Sequence, residues 1–121
     1  MKKLLIFGAA FLFASPAAAM DVATFLRHAD ALERMGARAV FASEGRLVMD
    51  ELNDSNRALR AERMRAQAAG RRPVYCPEAH SRASPQEIVG ALRRIPASRR
   101  AQIQVRDALR VFYARRYPCA A

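Results

Sequence analysis

From residue 22 onward, apolar and polar positions alternate with a helical period. Val22, Phe25, Leu26, Ala29, Leu32 and Met35 fall at offsets 0, 3, 4, 7, 10 and 13, which is one stripe of an amphipathic helix. Asp21 stands where a cap is needed, Gly36 where the helix must stop, and Asp30 with Arg34 has the i, i+4 spacing of a surface ion pair. The short apolar patch Ala39-Val40-Phe41, ending at Gly45, predicts a helical turn. Arg46 to Ala69 contains no proline or glycine, and its acids (Asp50, Glu51, Asp54) precede its arginines (Arg57, Arg60, Arg63, Arg65), an order that complements a helix macrodipole. Its apolar stripe is thin: Val48, Leu52, Leu59 and Ala66, interrupted by Ser55 and Glu62. A long, partly exposed helix or one buried against a partner is expected. Gly70 ends it.

Arg71 to Ala83 reads as the one extended loop, and Ser84, Pro85 and Glu87 then supply a complete helix start: cap, first-turn proline and capping box. Ile88, Leu92 and Ile95 give this third helix its apolar side, and Pro96 stops it. A last helix is predicted from about Ser98, carrying Ala101, Val105, Ala108, Leu109 and Phe112, with Pro118 as terminator. No segment shows the period-2 alternation of a strand. The expected class is all-α, a small bundle of about four helices.

The N-terminus follows another rule. Lys2 and Lys3 precede the apolar run Leu4 to Ala14, then Ser15-Pro16 and Ala17-Ala18-Ala19, the layout of a secretory signal peptide cleaved after Ala19. The run is far shorter than the ~20 residues that span a bilayer, so no stable membrane anchor is expected. Residues 20–121 then form the mature domain, and loss of the only two lysines lowers the formal charge from +10 to +8. The expected location is the periplasm. There the even count of two cysteines reads as a disulfide with one available pairing, Cys76 to Cys119.

Little supports catalysis. His28 sits beside Arg27 on a regular helix face, and Cys76 with His80 makes a nucleophile pair only if the disulfide is absent. The same two side chains are half of a four-ligand zinc site. Asp50, Glu51 and Asp54 are explained by their place in the first turns of a helix, and there is no glycine-rich phosphate loop. No catalytic residue, cofactor or metal is expected. The arginines would suit a phosphate backbone, yet they are spread over every segment and the expected export takes the chain away from DNA, which argues against nucleic acid. Contact with anionic envelope lipids or polymers stays open. Tyr113 and Tyr117 serve either as partner anchors or as packing for the helix end beside the disulfide.

Several motifs occur in a telling order: Phe25-Leu26 with Ala29-Asp30-Ala31-Leu32 and Gly36; Cys76-Pro77; Ser84 with Glu87; Ile95-Pro96 with Arg100, Val105 and Ala108; and Arg116-Tyr117-Pro118-Cys119. In this order and spacing the chain resembles the Rap/Tai family, the immunity proteins of type VI secretion amidase effectors. The resemblance implies a small helical, disulfide-bonded periplasmic protein, often a homodimer, that binds a secreted peptidoglycan amidase and occludes its active site. An inhibitor of this kind needs no catalytic residue. Partner contacts are expected in the loop Arg71 to Arg82, at Arg71, Arg72, Tyr75, Glu78 and His80. The other reading is an exported envelope-associated or chaperone-like protein that uses its arginine surface on anionic polymers or lipids.

Overall fold

The first described helix begins on a well-made cap. The Asp21 carboxylate accepts hydrogen bonds from the Thr24 N–H and the Thr24 hydroxyl, both at 2.8 Å, and holds the start of α1, Val22–Met35. The computed structural model describes residues 19–79 and 81–120. The expected signal peptide, apart from Ala19, lies outside these residues, as does His80. α1 buries Val22, Phe25, Leu26 and Ala29, the first four positions of its stripe. It ends at Gly36, whose φ of +56° is a left-handed conformation that side chains resist. The apolar patch that follows lies in a 3-10 helix, Gly36–Phe41, so the helical turn read there is present.

α2 runs from Ser43 to Ala68, 26 residues, or about 39 Å. Its thin stripe is the buried set Val48, Leu52, Ser55, Leu59 and Ala66. Ser55 can sit inside the stripe because its hydroxyl donates to Glu51 one turn back, at 3.2 Å. Gly70, at φ +67°, then reverses the chain. The Arg71 N–H bonds to the Ala66 carbonyl at 2.8 Å and the Gly70 N–H to that of Gln67 at 3.0 Å, which together make a Schellman stop.

α3, Pro85–Arg93, has the capping box the sequence spelled out: Glu87 N–H to Ser84 Oγ at 3.1 Å, and Ser84 N–H to Glu87 Oε2 at 3.0 Å. Its far end is closed by Arg100, whose guanidinium donates to the carbonyls of Ile95 and Arg93 at 2.8 and 2.7 Å. Such a cap answers carbonyls that a helix end leaves without partners.

The last helix starts later than expected. Ala97–Gln102 is a separate 3-10 helix, and α4 covers only Val105–Arg116. Between them Ile103 and Gln104 are extended and pair with the segment before α1. The Val22 N–H reaches the Ile103 carbonyl at 2.9 Å, and the Val105 N–H reaches that of Met20 at 3.0 Å. Asp21 and Gln104 form an isolated antiparallel bridge. Backbone groups committed to a partner about 80 residues away cannot also join a local helix, and helical spacing carries no sign of that partner.

The four α-helices enclose one cluster built from Phe25, Leu59, Leu92, Val105 and Leu109, with the rings of Tyr75, Tyr113 and Tyr117 at one end. The fold is all-α with a Cys76–Cys119 disulfide. No helix among the described residues is long and apolar enough to cross a membrane. One expected surface pair is replaced: Asp30 does not engage Arg34. It shares Arg93 of α3 with Glu33, at 2.7 and 2.8 Å, so α1 and α3 are linked across their exposed sides.

Candidate functional site

Cys76 and Cys119 are bonded across a sequence separation of 43, with their Cα atoms 4.9 Å apart. The Cys76 N–H donates to the Tyr117 carbonyl at 2.8 Å. Arg72 adds a third tie, with its guanidinium donating to the carbonyls of Cys119, at 2.8 Å, and Ala120. The segment after α2 is therefore fixed to the end of the chain by a covalent bond, a main-chain bond and a charged side chain.

Under this clip lies a cavity of about 270 Å³, walled by α2 (Leu59, Glu62, Arg63, Arg65, Ala66), by residues 71–75, and by Arg110 of α4. Arg110 holds the Glu62 carboxylate through two bonds, at 2.7 and 3.0 Å, and takes Asp107 at 2.8 Å. These bonds hold Glu62 below the usual carboxylate range, with the nearby positive charges of Arg110, Arg106 and Arg65 adding to the effect. They also push Arg110 well above its ordinary value. With its one acid so occupied, the pocket presents the cations of Arg63, Arg65, Arg71 and Arg72. Guanidinium forks in such a setting suit a carboxylate or another planar anion.

Tyr75 in the pocket wall is the first of a row of packed rings behind it. The Tyr75 and Tyr113 rings lie 5.2 Å apart and those of Tyr113 and Tyr117 6.0 Å apart. Arg63 sits 5.1 Å over Tyr75 and Arg116 5.4 Å over Tyr117, at cation–π distance. The Tyr113 hydroxyl donates to Asn56 Oδ1 at 2.7 Å. Burial raises the Tyr75 and Tyr113 hydroxyls above the usual phenol value, so both stay neutral at any physiological pH. Tyr113 and Tyr117 thus pack the helix end beside the disulfide, the second of the two roles their spacing allowed.

The sequence-derived residues separate here. Arg71 and Arg72 are exposed and line the pocket; Glu78 is exposed outside it; His80 lies outside the described residues. Tyr75 also lines the pocket, but only 7% of it is exposed. Expected among the partner contacts of the loop, it is instead a core residue, because the bonds at Cys76 draw the loop onto α4 and lay its ring against that of Tyr113. Glu62, Arg63, Arg65 and Arg110 were missed. Glu62 left a trace as an interruption of an apolar stripe, but its partner lies 48 residues further on. His28 is half-buried on α1. Among the described residues no group of three or more His, Cys, Asp or Glu side chains is placed to hold a metal ion.

The carboxylates give the fold a defined acid response. The Glu62 pKa is lowered by Arg110, and that of Asp21 by the Thr24 N–H. A carboxyl whose pKa is lower folded than unfolded stabilises the fold above its unfolded value, here 4.5 for Glu62 and 3.8 for Asp21; the contribution is lost as pH falls through the lower folded value. Urea midpoints taken from pH 7 down to pH 3 should therefore fall, and Glu62→Gln should flatten part of that fall. An unchanged slope in Glu62→Gln would remove the Arg110 pair from the account.

Compared with family models, curated proteins and solved structures, the chain matches none.

Proposed function

We propose that the protein is exported to the periplasm, its first 19 residues serving as the signal peptide, and acts as an immunity protein that binds a secreted peptidoglycan amidase and blocks its active site. The observation that carries this reading is the clipped loop. A segment held by a disulfide and two further ties is already ordered before it meets a partner, so little ordering cost is left to binding. It carries Arg71 and Arg72 at its start and Glu78 beyond, all exposed, above a pocket whose free charges are arginines. A rigid, charged projection is what an inhibitor inserts into an enzyme groove. The enzyme class, and a homodimer as the assembly, come from the resemblance of the motif order to that of the Rap/Tai immunity proteins.

The test is protection. Cells export the full chain and receive, in their periplasm, amidases encoded in the same genome. Survival should rise for one of them, and Arg71→Glu with Glu78→Arg, at two exposed sites that take no part in the clip, should abolish the gain while the variant still accumulates. Survival no better than empty vector with every amidase would overturn the reading.

The arginine-lined pocket also favours a second reading, an envelope-associated protein that uses its cations on anionic polymers or lipids. It predicts binding that weakens steeply with salt and no stoichiometric protein partner.

A further inference from the structure

A second concave surface lies on another face of the bundle. α3, the turn after it and α4 enclose a groove of about 700 Å³. Its floor is apolar and incompletely covered: Ile95, Ile103 and Phe112 are half-buried, and Val111 is 52% exposed. Its rim carries Arg94, Arg99, Arg115 and Arg116. The one acid in the wall, Asp107, is engaged by Arg110 at 2.8 Å. Among the described residues Arg94, Arg99 and Arg115 meet no carboxylate within 4.0 Å, and Arg116 reaches Glu87 only at 4.0 Å.

The placing of these charges selects the occupant. The Arg116–Glu87 contact sets Arg115 and Arg116 beside the start of α3. Arg94 and Arg99 follow its other end, two helical turns or about 10 Å along. Cations therefore stand at both ends of an apolar floor. An amphiphile with a single anionic head answers one end and leaves the other without a counter-charge. A second copy of this chain that docks through the same groove brings the same arginines to the interface, and the apolar run of residues 4–14 brings Lys2 and Lys3 and no acid. An amphipathic helix with an apolar stripe and carboxylates flanking it satisfies floor and rim together, in the helix-in-groove manner.

We propose that the α3–α4 groove is a docking surface for an acidic amphipathic helix of a partner protein. This goes beyond inhibition through the clipped loop and does not depend on it. The probe is a fluorescein-labelled synthetic peptide with leucines at helical spacing along one face and glutamates at both edges, titrated by anisotropy with the oxidised protein produced from the full chain. A permuted peptide of the same composition should bind ~10-fold more weakly, a loss of about 1.4 kcal/mol. So should the original peptide with Arg99→Glu or Val111→Asp, while Arg60→Glu, on an exposed site of α2, should leave it unchanged. Both groove side chains are exposed, so the variants keep the parental melting point, and either one decides the matter. The proposal is overturned if the permuted peptide binds equally, if Arg60→Glu costs as much as Arg99→Glu, if Val111→Asp has no effect, or if phosphatidylglycerol vesicles are bound and the peptide is not.

Discussion

Replacing both cysteines, Cys76→Ser with Cys119→Ser, is expected to lower the stability of the fold by about 4 kcal/mol. The bond closes a loop with a sequence separation of 43, and loop-closure entropy for that length gives this magnitude. Set against a typical total of ~5–15 kcal/mol, the loss is large; at ~4–8 °C per kcal/mol for a chain of this size it lowers the melting point by roughly 20 °C. The Cys76 N–H bond to Tyr117 and the Arg72 bonds to the C-terminal carbonyls survive the change, but they act only in the folded chain. The disulfide acts mainly by restricting the unfolded one. Denaturant midpoints of the oxidised protein, the reduced protein and the double serine variant decide it: the last two should agree, and a loss under about 1 kcal/mol would show that the ties at Arg72 and Cys76 already suffice. A protein so dependent on oxidation is at full strength only where thiols are oxidised, which accords with the proposed export.

Phe25→Ala should cost about 3–5 kcal/mol, comparable to losing the disulfide but for the opposite reason, since it acts on the folded state. Phe25 is wholly buried on α1, and α1 is the helix that touches all the others: α2, α3, α4 and both 3-10 helices border it. Truncating the ring opens a space that no single neighbour can fill without leaving its own contacts. Val111→Ala is the control. With 52% of that side chain exposed, its loss should stay within about 0.5 kcal/mol. Equal effects at the two positions, measured by urea unfolding, would contradict the packing described for α1.

What the sequence disclosed depended on distance along the chain. The α1 stripe, the Ser84–Glu87 capping box, and the stops at Gly36 and Gly70 rest on contacts within one or two turns, and each stands where its local signal put it. The disulfide was legible because two cysteines allow one pairing. Features made by remote partners were not legible. The bridge between Asp21 and Gln104 moved the start of the last helix from Ser98 to Val105. Arg93 drew Asp30 away from Arg34. The arginine pocket was half visible: Arg71 and Arg72 lie in the loop itself, whereas Glu62 and Arg110 meet only when α2 and α4 pack. Tyr75 misled because an aromatic in a loop between two prolines, Pro73 and Pro77, looks exposed until the bond at Cys76 pulls it inward. The α3–α4 groove had no local signature either, since Ile95, Ile103 and Val111 come from three different elements.

The ties at the two extremities of the described chain have a dynamic consequence. Met20 and Val22 are laced to Ile103 and Val105 at one extremity, and Tyr117 and Cys119 to Cys76 at the other. Terminal residues are ordinarily where a small domain begins to fray and where proteases first gain a hold. With the proposed cleavage after Ala19, each extremity is anchored to a segment distant in sequence, so neither can peel away by itself. Opening has to start at an internal joint, and amide protons at Val22, Cys76 and Val105 should exchange only as slowly as the helices they join come apart.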